Sequence, residues 1–183
     1  MTRAAYGAPL YQLHRRDLHD VLVKALQARA PGTVHLNHDA VSIEQVPSGG
    51  ARVTFANGAV AEGDLVVGCD GIRSNIRQAV FGKEDPLFTK IIAWRALVPA
   101  DRLPKEFLDD PTGVHVGPDS NVTHYLVRDG TLVNYLCFAR VEAWEEEGWR
   151  IPSKLEPVME RFKDYHPLIR QLIVAAISCR MSG

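Results

Sequence analysis

The sequence predicts an α/β fold (α+β overall), in which a half built like a parallel sheet is followed by an antiparallel sheet with C-terminal helices. Three observations predict this order. A helix pattern precedes a short apolar run, an unalternating Leu65-Val66-Val67 run leads directly into Asp70-Gly71, and long alternating runs follow residue 90. We place one domain over residues 1–84 and a second over residues 85–183.

The clearest helix lies in the string HRRDLHDVLVKALQARAPG, which Pro31-Gly32 ends. The string TVHL follows it and predicts a short strand, so that helix and strand together form a unit typical of a parallel sheet. The apolar residues that recur at helical spacing are Leu18, Val21, Leu22, Ala25 and Leu26.

A small antiparallel ribbon is predicted next. AVSIEQV alternates, and ARVTFANGAVAEGDLVV reads as a hairpin in which Asn57-Gly58 supplies the two positive φ angles of a type I′ turn. The run Leu65-Val66-Val67 does not alternate, which predicts a strand buried on both faces, as in parallel sheets.

Asp70-Gly71 would then stand at the carboxyl end of a parallel strand, where open α/β sheets bind ligands. Gly71 would let a ligand approach the backbone. A helix from about Ile72 would direct its free amides at an anion, and Asp70 could accept a hydrogen bond from a hydroxyl group. The alternative is that Asp70 only caps the helix and Gly71 eases the turn.

The second half predicts an antiparallel sheet of about four strands and then two helices, with Pro167 in the first turn of the last helix. His124 and Tyr125 point to opposite faces of their strand, so at most one of them lines a pocket. Arg95 and Asn134 are further polar residues in otherwise apolar strands. The alternative is that these residues lie on a solvated face of the sheet.

A chain of 183 residues, of which 46% are hydrophobic and 23% charged, can bury a packed core. Its net charge of −1 gives no reason to expect nucleic acid or an anionic membrane as partner. Three distant cysteines, Cys69, Cys137 and Cys179, predict a reducing compartment and no metal site. No apolar run reaches membrane-spanning length, so we expect a cytoplasmic protein.

Three strings occur in order: HRRDLHDVLVKAL, GDLVVGCDGIRSNIR and IIAWRALVPADRLP. Together they resemble the class A flavin monooxygenases and, within them, the salicylate-hydroxylase-like aromatic hydroxylases. The resemblance implies a Rossmann-like FAD-binding domain followed by a substrate-binding sheet that covers the flavin. It also implies FAD as cofactor, NADH or NADPH as co-substrate, and a small aromatic substrate that is hydroxylated with O2.

The resemblance implies cofactor contacts from Arg15, Asp70, Gly71 and Arg73, and from the main chain of Val41. Arg15 at a helix start does not suit the helix dipole, which fits a guanidinium aimed at a ligand; the alternative is a solvated terminal arginine. The assignment requires Arg15 to converge on Asp70 and parallel strands to lead into the turn.

In the second half, the resemblance makes three residues candidates for the chemistry. Arg95 would hold a substrate carboxylate or stabilise negative charge on the flavin. His124 or Tyr125 would help to deprotonate a phenol.

The same resemblance implies an earlier Gly-x-Gly-x-x-Gly turn and a later Gly-Asp motif, and neither is present in this sequence. The chain therefore resembles an internal fragment with an incomplete FAD-binding domain, and we predict that by itself it binds FAD poorly or not at all. Two alternatives stay open: another flavoprotein of the superfamily, such as a reductase, or a non-catalytic remnant. Trp144 and Trp149 are spaced wrongly for a halogenase, and no Gly-x-Ser-x-Gly of a serine hydrolase occurs.

Overall fold

The computed structural model describes residues 5–143, 151–176 and 179–182, so Trp144 and Trp149 lie outside the described residues. The chain divides into two compact units. One combines Met1–Asp20 with Phe88–Gly183, and the other is Val21–Leu87. The predicted assignment of residues 1–84 and 85–183 to a cofactor and a substrate domain stays a prediction.

Helix α1 (Arg15–Arg29) forms where the helical spacing predicts it. It ends at the residues before Pro31-Gly32, where the amide of Ala30 donates to the carbonyl of Leu26 at 2.7 Å. None of its residues is buried by the described part of the chain. Four of its apolar residues remain exposed, from 44% for Leu18 to 62% for Val21, while Val23 is half-buried.

The antiparallel ribbon consists of β1 (Ala40–Gln45), β2 (Ala51–Phe55) and β3 (Val60–Gly63), as predicted. The prediction of a type I′ turn is wrong, because Gly58 has a positive φ, of 82°, and Asn57 does not. The Gly58 amide donates to Phe55 O at 2.9 Å, and the Phe55 amide donates to Ala59 O at 2.9 Å. This is a three-residue hairpin loop with a left-handed glycine. Such loops are the most common hairpin connections after two-residue loops.

Both strands expected in a parallel sheet are absent from the described structure. Residues 33–36 and residues 65–67 are irregular, and every strand pair between described residues is antiparallel. Leu65 and Val67, predicted to be buried, are 80% and 72% exposed. The physical reason is that a strand exists only through hydrogen bonds to a neighbour, and no described strand pairs with either run.

The second sheet has six antiparallel strands rather than four, in the order β5-β6-β7-β4-β9-β8. All of the strands predicted for this half of the chain are present. Two further short strands, which come later in the chain, extend the sheet beyond β4. The strands are β4 (Ile91–Pro99), β5 (Thr112–Gly117), β6 (Ser120–Val127), β7 (Leu132–Arg140), β8 (Ile151–Ser153) and β9 (Cys179–Ser182).

The core lies between one face of this sheet and helices α4 (Leu155–Arg161) and α5 (Pro167–Val174). Alternation explains which face is buried, because every second residue of β4 and β7 points to the helices. The Tyr135 hydroxyl donates to the carbonyl of Ile173 at 3.4 Å across this core. A short helix, α3 (Lys105–Leu108), adds the buried Phe107.

Helix α5 begins with Pro167 in its first turn, as predicted, and the ring of His166 accepts a hydrogen bond from the Leu168 amide at 3.3 Å. No helix among the described residues combines the length and the apolar character needed to cross a membrane.

Candidate functional site

The sheet leaves one face partly exposed, on the side away from the core helices. We call it the open face. It consists of alternate residues of the three central strands: Ala93, Arg95 and Leu97 of β4, Asn134, Leu136 and Phe138 of β7, and Thr123 and Tyr125 of β6.

Three polar residues lie close together on the open face. Tyr125 is directly opposite Asn134 in the strand register, and Arg95 is opposite Leu136, one step along β7 on the same face. Opposite residues in a sheet are about 5 Å apart and diagonal ones about 7–8 Å. A guanidinium, a carboxamide and a phenol therefore cross three strands diagonally, with Leu97 and Leu136 beside them. An apolar floor with few polar groups suits a planar ring that carries an anion.

His124 lies on the other face of the sheet. It is 3% exposed, its ring centroid is 4.4 Å from that of Phe107, and it stacks on His115 at 5.2 Å. The prediction that His124 and Tyr125 point to opposite faces is confirmed. Of these two candidates, Tyr125 is the one that shares a face with Arg95.

The two stacked histidines share a hydrogen bond whose direction follows from the next partner. Nε2 of His124 is 3.2 Å from the carbonyl of Asp110, which can only accept, so Nε2 carries the proton. Nδ1 of His124 then accepts from Nε2 of His115 at 3.2 Å. Burial lowers the pKa of His124, and burial followed by the charges of His124 and His166 lowers the pKa of His115.

A glycine makes room for this pair. A Cβ at Gly113 would stand 2.5 Å from Cε1 of His124 and 3.1 Å from Nε2 of His115. The histidine pair is therefore part of the packing between sheet and helices, which is a structural role that the sequence did not reveal.

The Asp70-Gly71 turn leads into helix α2 (Asn75–Phe81), which begins later than Ile72 because Ser74 caps it. The Ser74 hydroxyl oxygen accepts from the Arg77 amide at 2.9 Å and donates to the Asp70 carboxylate. Asp70 also accepts from the Ile76 amide at 3.2 Å. These bonds, chiefly that from Ser74, lower the pKa of Asp70.

Two of the first helix amides are thus occupied by the chain's own side chains, which contradicts the expectation that they point at an anion. Ser74, and not Asp70, is the cap of this helix, and Asp70 braces the turn. Gly71 has φ of +86°, and a Cβ there would meet nothing within 4 Å. Its glycine is required by the turn's conformation, and Arg73 is exposed on the same turn.

The remaining predicted cofactor residues lie at irregular or terminal backbone positions. Val41 falls in a register shift of β1, where Ala40 pairs with Phe55 and Ser42 with Thr54. A bulged residue is left out of the strand ladder, so its main chain can serve a ligand. Arg15 is exposed at the first position of α1. No group of three potential metal ligands is found among the described residues.

Sequence reasoning missed two contacts that hold the start of α1. The guanidinium of Arg128 donates to both carboxylate oxygens of Asp17, and the hydroxyl of Thr112 donates to Oε1 of Gln12 at 2.7 Å. The sequence contains an Arg-x-Asp-Leu pattern formed by Arg15, Asp17 and Leu18, but this pattern does not identify Arg128 as the partner of Asp17.

The fold is similar to that of several solved structures. A salicylate hydroxylase–substrate complex superimposes with a TM-score of 0.72 at 22% identity, over 93% of this chain and 45% of that chain. The protein CtdE in complex with FAD and a substrate gives a TM-score of 0.76 at 19% identity, over 92% and 44%.

Curated proteins are similar to this chain at higher sequence identity. The 3-amino-4-hydroxybenzoate 2-monooxygenase of Streptomyces platensis is 34% identical over 171 residues, which are 93% of this chain and 42% of the relative. The 3-hydroxybenzoate 6-hydroxylase 1 of Aquipseudomonas alcaligenes is 29% identical over 161 residues, 88% of this chain and 40% of the relative. No protein-family model matches the chain.

The predicted resemblance is confirmed: over nearly its whole length, the chain is homologous to part of the FAD-dependent aromatic monooxygenases. It spans about 42% of the length of the first relative. This assignment rests on overall homology and not on the parallel strands expected before Asp70, which are absent from the described residues.

Proposed function

We propose that this chain supplies cofactor contacts and the substrate-binding sheet of an FAD-dependent aromatic monooxygenase that uses NAD(P)H and O2. The observation that carries the proposal is the 34% identity, across 93% of the chain, to a relative named as an aromatic monooxygenase. Incomplete Rossmann-like organisation of residues 1–84 is part of the same proposal.

Several described residues fit a cofactor with phosphate and hydroxyl groups. The carboxylate of Asp70 is exposed and is held in place by bonds from Ser74 and Ile76, and a carboxylate oxygen in this position can accept a hydrogen bond from a cofactor hydroxyl. Arg15 is an exposed cation at the start of α1, and Val41 offers main-chain atoms from a bulge. Gly71 and Arg73 complete the proposed set.

FAD reduced by NAD(P)H supplies the activation of O2 and the transfer of one oxygen atom to the aromatic ring. This chain's own residues bind and orient the ring. Arg95 holds a carboxylate by charge-assisted hydrogen bonds, and Tyr125 lies on the same face, where its hydroxyl can hydrogen-bond a substrate phenol and assist its deprotonation. His124 faces the core helices, so a role for it in catalysis would have to be indirect.

The open face favours a hydroxybenzoate-like substrate. The two relatives described above are named for hydroxybenzoates, which carry a carboxylate and a hydroxyl on one ring. A guanidinium and a phenol separated by two strand spacings, roughly 10 Å, can engage the two ends of such a ring.

A second candidate is that the isolated chain has no catalytic activity. The exposure of Leu65 and Val67 ahead of the Asp70-Gly71 turn favours it, because this turn then lacks the buried strand on which a cofactor site of this class is built. Under this candidate no stoichiometric yellow complex survives gel filtration of the chain with FAD.

Titration of the 15N-labelled chain with FAD, followed by NMR, tests the proposal even when binding is weak. We expect amide shifts to concentrate at residues 15, 41, 70, 71 and 73. Arg15→Ala should weaken binding by about tenfold or more, since a charge-assisted hydrogen bond contributes about 1.5–3 kcal/mol. Arg29→Ala, at the other end of the same helix, is the matched control and should change nothing. Absence of FAD-dependent shifts at all five residues would refute the proposal.

A further inference from the structure

The N-terminal end of α1 is joined to the sheet by a two-pronged ion pair. Nε of Arg128 donates to Oδ2 of Asp17 at 2.8 Å, and Nη2 donates to Oδ1 at 2.7 Å. The residues are 111 positions apart in sequence. Such parallel bonds fix the direction as well as the distance between two groups. Hydrogen bonding from Arg128 also lowers the pKa of Asp17, which keeps the carboxylate charged.

Arg128 occupies a strained backbone position. Its φ is 52°, and it begins a run of three left-handed residues with Asp129 at 53° and Gly130 at 80°. The Thr131 amide donates to the carbonyl of Arg128 at 3.1 Å and closes the β6–β7 turn. A side chain with a Cβ is disfavoured at this φ, and a glycine would form the same turn more easily. Strain of this kind is informative about function when the side chain has an identifiable task.

A second bond fastens the same segment nearby. The Thr112 hydroxyl donates to Gln12 at 2.7 Å, and Thr112 is the register partner of Tyr125 on the open face. Arg15 lies between the two fastened positions, three residues after Gln12 and two before Asp17. Because no residue of α1 is buried by the described chain, polar contacts rather than packing define where this helix begins.

We propose that Asp17 and Arg128 are a positioning pair. Their ion pair fixes the start of α1 against the β6–β7 turn and thereby fixes the position of Arg15 relative to the open face. This inference rests on the proposed function in one respect, because the proposed function assigns Arg15 to the cofactor. Asp17 is then the structural residue of the Arg-x-Asp-Leu pattern, and the β6–β7 turn is its anchor on the sheet.

The ordinary alternative is an exposed ion pair with no consequence beyond its own surface, as many are. Two variants separate these possibilities. Asp17→Asn keeps the shape of the side chain and removes its charge. Arg128→Gly removes the guanidinium but suits the left-handed φ, so the turn itself is preserved. Arg52→Lys is the matched control, because Arg52 also makes an exposed two-bond contact, to Glu62 and Glu44.

Amide hydrogen exchange in the full chain measures positioning without any cofactor. Arg128→Gly should speed exchange of the Leu18 amide about five- to tenfold, the size expected when one charge-assisted contact is lost. Asp17→Asn should have the same effect at Leu18, whose amide is bonded to the carbonyl of His14 at 3.3 Å. Arg52→Lys should have none. Unchanged exchange at Leu18 in both variants overturns the positioning pair, whatever FAD does.

FAD titration then tests the link to the cofactor. Both variants should weaken FAD binding about five- to tenfold, as Arg15 loses its orientation, while the melting temperature changes as little as in Arg52→Lys. Altered exchange with unaltered FAD affinity would overturn the claim that the pair serves Arg15. If the unmodified chain shows no FAD-dependent shifts at all, the proposed function fails, and the exchange result still decides the positioning claim.

Discussion

His124 and Tyr125 are neighbours in the chain but lie in different environments. Tyr125 belongs to the open face, whereas His124 is enclosed by Phe107 and His115. Alternation along a strand predicts that the two face opposite sides, but it does not say which side the helices cover. The distinction came from packing, and it separates a residue that can reach a ligand from one that stabilises the core.

Stability should depend on pH through the stacked histidines. Burial lowers the folded-state pKa of His115 and His124 below the value of about 6.5 expected in the unfolded chain. The unfolded chain therefore takes up protons first as pH falls, so the free energy of unfolding should be full above pH 6.5 and decrease below it, until the lowered pKa values are passed. One proton corresponds to a slope of at most about 1.4 kcal/mol per pH unit, and partial exposure reduces it.

Urea unfolding at pH steps between about 5 and 8 measures this slope. His115→Gln keeps an N–H that can donate to His124 and removes one titrating ring, so it should flatten the slope. His19→Gln is the control, because the His19 side chain is 72% exposed. An unchanged slope in His115→Gln would show that this ring does not carry the effect.

Asp17 and Arg128 illustrate what residue-level reading of a sequence misses. Asp17 lies in the Arg-x-Asp-Leu pattern, but its partner is 111 residues away in the β6–β7 turn, and no sequence pattern connects the two. From the sequence, Asp70 could either bind a ligand hydroxyl or cap the helix. The bonds from Ser74 and Ile76 give it a bracing role within the turn.

At the scale of elements, the long alternating strands were predictable, whereas the unalternating run 65–67 and the short run 33–36 were predicted wrongly. The strands β4, β6 and β7 each have a buried and an open side, so their own residues specify orientation and pairing. Residues 65–67 carry no such information, and residues 33–36 alternate over only four positions. An apolar run becomes a strand only when a neighbour supplies hydrogen bonds, and the described residues supply none. The hairpin at Asn57-Gly58 formed, with a turn type set by one additional loop residue.

The segment 65–67 gives a direct test of this difference. Leu65→Glu with Val67→Glu should leave the melting temperature within about 2 °C, because both side chains are exposed. The same change should reduce self-association in light scattering, since it removes an exposed apolar patch.

Val53→Ala, in the ribbon of the same compact unit, is the comparison for a buried position. It removes two methyl groups from a buried site and should cost about 2 kcal/mol of stability. Should the double glutamate variant destabilise as strongly as this, residues 65–67 form the buried strand that the sequence pattern indicates.

At the scale of the whole molecule, the similarity to aromatic monooxygenases holds although one structural prediction on which it was based is wrong. The part of the chain that the structure describes has no parallel strands before Asp70, yet the 34% identity to an aromatic monooxygenase extends over 93% of the chain. Three strings in order carried the family, because each combines residue types at spacings that a generic helix or strand does not require. The site is less predictable than the family, since the residues that share a face are set by packing.

The proposed function depends most on the open face, as the surface that binds an aromatic acid. Intermolecular nuclear Overhauser effects between the ring protons of 3-hydroxybenzoate and methyl groups of the full chain measure this directly. We predict contacts to Leu97 and Leu136, which flank the polar diagonal of Arg95, Asn134 and Tyr125. Contacts to Val98 and Val133 on the helix-packed face, or none to either leucine when the ligand binds, would contradict it.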